Sequence, residues 1–291
     1  MTPALLIKFA ILGSMFLVVF ALGLKVTPGT VLYLFRHERL LMKWVLAMNI
    51  IMLALVIEVG LSVNLPVPIK IALGTLAVSP VPPILPFQQE KAGGSAEYSI
   101  GVLAASALLS IVIAPLSILI VDRIKHAEWA VSPMQVAQTV LVSVLVPLVL
   151  GYAVRVKAPN LAAKIADPIN KFSMALLIVA FLPILYLSRR VIGDLVGRGV
   201  IIALVLFTVV GLTVGHLLGG PDPHNRRVLA LATATRHPGV AMAIAALNFP
   251  DQRAAQIVIV YHLILGAIVS FPYVKWQARV NAATTRGNAT A

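Results

Sequence analysis

Cysteine is absent from all 291 residues, which excludes disulfides, thiolate metal centres and cysteine nucleophiles. Carboxylates are scarce: ten Asp and Glu face 23 Lys and Arg, and charged residues make up only 11% of the chain. Acid–base catalysis by paired carboxylates has little to draw on, because all but Glu58 fall in segments that read as loops or helix ends. The stretch His37-Glu38-Arg39-Leu40-Leu41 lacks the second histidine of an H-E-x-x-H zinc helix, and no G-x-x-x-x-G-K-[ST] phosphate loop occurs. Long polar segments are missing as well. The longest loops, at about 25–42 and 155–168, are too short to fold alone. An enzyme is disfavoured, and no soluble domain fits.

What is present is apolar. Hydrophobic residues make up 60% of the chain and the mean hydropathy is +0.98, values that belong to an all-α polytopic membrane protein. Runs of spanning length occur at about 4–24, 43–63, 68–86, 98–121, 134–154, 169–188, 200–218, 227–247 and 254–275, predicting nine helices. With the N-terminus outside, fourteen basic residues fall on the inner side, among them Lys25, Arg36, Arg39, Lys43 and Arg227, and six fall outside, such as Arg189 and Arg253. This excess favours a cytoplasmic C-terminus in the cell (inner) membrane by the positive-inside rule. The net charge of +13 then needs no nucleic-acid partner. The first run has one early lysine and lacks a clear A-x-A cleavage site, so it reads as a retained helix and not a signal peptide. The domain reading is a single membrane unit over 1–275, with a first repeat at about 1–122 and an inverted second repeat at about 134–275. The segment 276–291 reads as a disordered cytoplasmic tail.

Two runs are interrupted. Thr233-Ala234-Thr235-Arg236-His237-Pro238-Gly239 breaks the stretch from 227 to 247. The proline removes a backbone donor there and Arg236 carries a permanent charge about 15 Å from either end of the span. An arginine near the bilayer centre costs a few kcal/mol or more, so it should face a cavity or a partner and not lipid. The third run reads Thr75-Leu76-Ala77-Val78-Ser79-Pro80-Val81-Pro82-Pro83-Ile84-Leu85-Pro86, and can be laid against the first so that Ser79-Pro80 meets His237-Pro238. In the nine-helix topology these helices point in opposite directions. Paired broken helices in inverted halves mark the midplane site of a secondary transporter; the plainer alternative is two proline kinks relieved by neighbouring helices.

Across nearly its whole length the chain resembles the bile acid:sodium symporter family. The resemblance rests on the breaks at Ser79 to Pro86 and Thr233 to Gly239, on Lys91-Ala92-Gly93-Gly94 before a Ser-containing helix, on Gly219-Gly220-Pro221-Asp222-Pro223, and on Tyr261-His262 in the last helix. It implies a core domain with two crossing broken helices, a smaller panel domain, and alternating access for organic anions. Relative to ten-helix members, the opening span with Gly23-Leu24-Lys25 looks like their second helix. By the same resemblance the residues that hold sodium are replaced. Ala232 stands at the carboxylate position, Arg236 at a glutamine position, and Leu85-Pro86 at a Ser-Asn pair. Of two hydroxyl positions in the following helix Ser99 survives and the other is Leu103, while Asn49, or Met48 beside it, falls where a further amide would lie. Without its anionic ligand a sodium ion is poorly compensated, so no cofactor or metal is expected.

Arg236 stands beside the half-helix carboxyl ends that sodium would otherwise balance, and can replace the ion while its planar fork still offers donors to a carboxylate or sulfonate. His237 is either a proton carrier or a neutral residue that shapes the break, the latter being favoured. His262 reads as an interhelical hydrogen-bond residue over a ligand, His216 as interfacial, and Glu58 as reaching the membrane surface. Thr233, Thr235 and Ser99 line the site unless they bond back to their own helices. The candidate site is therefore Arg236, His237, Thr233, Thr235, Pro238, Gly239, Ser79, Pro80, Pro83, Ser99, Asn49 and His262. The expected partners are a small organic anion and membrane lipid. The expected function is a secondary active transporter, proton-coupled or facilitative. The alternatives are an anion channel and a sodium-dependent symporter with a displaced ion site. Arsenite efflux is disfavoured, since relatives that carry arsenite are expected to offer a cysteine.

Overall fold

The computed structural model describes residues 3–125, 141–187 and 199–289, together with a few positions between them. Every regular element among these residues is helical. Helix α1 (Pro3–Lys25) is followed by a short α2 (Pro28–Arg36). Helix α3 (Glu38–Ser62) carries a π-helical stretch at Val45–Ile51. Then come α4 (Val67–Val78), α5 (Leu85–Lys91) and α6 (Ala96–Lys125). A π-helical turn at Leu141–Leu145 leads into α7 (Val146–Lys157), and α8 (Pro159–Leu187) follows after a single residue. The chain closes with α9 (Val200–Leu218), α10 (Pro223–Ala234), α11 (Pro238–Asn248) and α12 (Arg253–Ala289).

Six segments among the described residues are long and apolar enough to cross a membrane: Glu38–Ser62, Ala96–Ser117, Pro159–Pro183, Val200–Leu218, Pro223–Asn248 and Arg253–Thr284. Phe9–Lys25 and Val67–Val78 are shorter apolar helices. The expected span at 134–154 lies largely outside the described residues. Three sequence expectations are corrected. The loops read at 25–42 and 155–168 are helical, and Ala158 alone separates α7 from α8. The stretch 276–289, read as part of a disordered tail, is helical: α12 continues through Ala289 and buries Gln277. Gln277 and Asn281 in this stretch are held by hydrogen bonds from Arg227 of α10.

Local sequence explains where helices stop. Pro80, Pro82 and Pro83 withdraw three consecutive-turn donors, so α4 cannot continue past Val78. Asp222 caps α10 by accepting from the His224 backbone N–H at 2.9 Å, with Pro223 in the first turn. Pro238 opens α11 in the same way.

Packing separates two groups of helices. Helices α1, α7 and α8 pack chiefly on one another, and a satellite core of Leu24, Ala162 and Ala166 sits among them. Gly23 and Gly151 bring α1 and α7 into backbone contact: a Cβ on Gly151 would stand 2.2 Å from the Phe20 carbonyl oxygen. The larger core is built mainly from the remaining long helices, joined by Met15 of α1, Leu148 of α7 and Leu177 of α8, and in it Gly211 and Gly215 of α9 lie directly on the α10 backbone at Ala234 and Ala230. Small residues at these crossings are how membrane helices approach closely. The two groups meet where α1 touches α11 and α8 touches α12. At the first of these, Met15 packs on Gly239 so tightly that any Cβ there would collide with its sulfur.

Candidate functional site

Both interrupted runs are broken helices, and the breaks meet. Helix α4 packs on α11, while Gln89 of α5 donates to the Val228 carbonyl of α10 at 2.8 Å. The pairs α4–α5 and α10–α11 therefore run in opposite directions. At the crossing the His237 backbone N–H donates to the Pro80 carbonyl at 2.8 Å. The chain places a donor where the other break has a free carbonyl, so each break satisfies part of the other. One donor of the first break, the Val81 N–H, reaches Ser106 Oγ on α6 at 3.3 Å.

Arg236 lies in the second break and is only 1% exposed. Its Nη2 donates to the Met48 carbonyl at 2.8 Å, within the π-helical stretch of α3. A π-helix displaces the ordinary backbone pairing and is a frequent feature of functional sites. That hydrogen-bond acceptor belongs to an unbroken helix. The guanidinium carbon stands 5.9 Å from the centre of the Phe207 ring, within cation–π reach. The same ring meets His262 edge-on at 5.3 Å. Nε and Nη1 of Arg236 have no protein partner, and no Asp or Glu is buried among the described residues. The ion pair found among them, Lys25 with Asp167 at 2.5 Å, is exposed and adds little.

His237 caps α11, its Nδ1 accepting from the Val240 N–H at 3.4 Å. In the neutral ring that assigns the hydrogen to Nε2, which is buried and without a partner. Beside the crossing a small cavity of about 10 Å³, room for about one water, is lined by Trp44, Met48, Asn49, Val78, Ser79, Pro80, Ser106, Ser110 and Ile113. The Trp44 Nε1 and Asn49 Nδ2 donors are buried and unsatisfied.

The structure thus brings together Arg236, His237, Pro238, Gly239, Ser79, Pro80 and Asn49, with His262 linked through Phe207. Three hydroxyls bond back along their own segments, one of the two alternatives that the sequence left open for Thr233 and Ser99. Thr233 bonds back to the Leu229 carbonyl at 2.8 Å, Ser79 to Thr75 at 2.7 Å and Ser99 to Ser95 at 2.7 Å. Ser99 is also about two turns short of Ser106, the α6 residue that serves the break. Thr235 and Pro83 are half-buried on either side. Glu58 is exposed and accepts from the Ser62 hydroxyl. Trp44, Ser106, Ser110 and Phe207 carried no sequence signal, being ordinary members of apolar runs.

Antiparallel broken helices that cross around a buried charge are an arrangement found in secondary transporters. Residues 12–195 match the family model of the Sodium Bile acid symporter family, and the chain belongs to that family. No curated protein matches the chain. The matched segment ends before α10, so the likeness at the second break rests on the residues Thr233 to Gly239 themselves.

Proposed function

We propose that the chain is a secondary active transporter of small or amphipathic organic anions, that it works without sodium, and that the anion binds at the crossing of α4–α5 with α10–α11. The observation that carries this reading is Arg236, a fully buried cation with two unsatisfied donors and no buried carboxylate beside it. A carboxylate or sulfonate supplies both the acceptors and the missing negative charge. A sodium ion supplies neither. At about 4 Å from the guanidinium it would meet a repulsion of about 4 kcal/mol at an effective dielectric of about 20. Ala232, Leu85 and Pro86 offer it no side-chain oxygen in return. In this reading α1, α7 and α8 form the panel that moves against the core, within a nine-helix inverted-repeat topology with the C-terminus cytoplasmic.

Reconstituted vesicles offered a panel of carboxylates and sulfonates, with sodium and pH gradients imposed separately, test the reading. Uptake is expected to be the same with sodium or choline outside. Strong sodium dependence saturating at millimolar levels would instead support a displaced ion site.

A further inference from the structure

A second arginine with almost no exposed surface lies away from the crossing. Arg227 of α10 is 2% exposed and its guanidinium is held by three neutral oxygens. Nε donates to Gln277 Oε1 at 3.0 Å, and Nη1 donates to the Gly93 carbonyl and to Asn281 Oδ1, both at 2.8 Å. The Gly93 carbonyl also pairs with Nδ1 of His224 at 2.6 Å. Gly93 adopts a φ of +81°, and a Cβ there would fall 2.6 Å from Asn281 Cγ, so both conformation and space call for glycine. One guanidinium therefore ties the α5–α6 loop, the start of α10 and the far end of α12. Since α5 and α10 are the two half-helices on the same side of the crossing, the bonds close that end of both broken helices at once.

We propose that the extension of α12 beyond Trp276 is a latch: Gln277 and Asn281 hold Arg227, and the Gly93 end of the crossing opens only when they let go. Neutral amides suit this role. They satisfy a buried cation well enough to close the end, whereas a carboxylate would bind it too firmly to release. The proposal rests on the alternating-access reading above, but its test needs no transported substrate.

The chain has no cysteine, so single reporters can be placed in the full-length protein. Ala92, 0% exposed, sits at the latched end, and Ala245, 1% exposed, lies on α11 beyond the break. In the purified protein, Gln277→Ala with Asn281→Ala is expected to speed maleimide labelling of Ala92→Cys by about tenfold or more, with Ala245→Cys unchanged or slower. Asn281→Asp, which gives Arg227 an ionic partner, is expected to slow labelling of Ala92→Cys. Unchanged labelling at Ala92→Cys overturns the latch. So does an equal rise at both reporters, which would mean that the network only supports the fold. Failure of the transporter reading shows separately, as absence of uptake in vesicles of the unmodified protein.

Discussion

The backbone N–H of His237 donates to the carbonyl of Pro80 at 2.8 Å, joining the midpoints of two broken helices from distant parts of the chain. Each break leaves orphan backbone groups in a setting without water, where an unsatisfied amide costs several kcal/mol. The bond explains how both breaks are tolerated, and it fixes Arg236, one residue away, against α3.

The Gly23–Gly151 contact predicts a sharp contrast between glycines. A Cβ on Gly151 would meet backbone atoms at 2.2 and 2.9 Å, whereas around Gly13 of α1 nothing lies within 4 Å. Gly151→Ala should destabilise by about 1–3 kcal/mol through overpacking and lower the unfolding temperature in detergent by several degrees. Gly13→Ala should hold or raise it, since alanine is the better helix former. Equal behaviour of the two variants would refute the tight α1–α7 crossing.

Arg236 predicts a charge-and-shape requirement. Arg236→Ala should abolish vesicle uptake while leaving the protein inserted and monodisperse. Arg236→Lys keeps the charge but replaces a planar fork by a point donor, and should lose most of the activity. Uptake in the alanine variant at the unmodified level would show that the arginine takes no part in transport.

The sequence made the breaks legible because their signals are steric and electrostatic: prolines that no helix interior accepts, and an arginine that lipid does not accept. Other parts of the site were hidden for definite reasons. Ser106 and Ser110 sit in an apolar run where serine usually bonds back to its own helix, and both do so. Only the fold shows that Ser106 also accepts from Val81. Arg227 looked like one more basic residue near a helix start, and the partners that bury it lie 50 and 54 positions further on. The same distance hid the helical end of α12, whose small polar residues have no apolar periodicity to announce a helix.

The antiparallel crossing also separates a carrier from a channel. Val81 is 2% exposed and Val240 0%, one beside each break, so the state seen here shields both from water. If the crossing alternates, single cysteines at these positions should react with aqueous thiol reagents from one side of the membrane at a time. Substrate or a proton gradient should shift which side that is, because a ligand moves a conformational equilibrium only by its differential affinity for the two states. An anion channel would hold a continuous water path past Arg236. It would expose both cysteines from both faces together, with conductance above any carrier turnover. Labelling confined to one face at a time, and shifted by substrate, is the outcome expected of this chain.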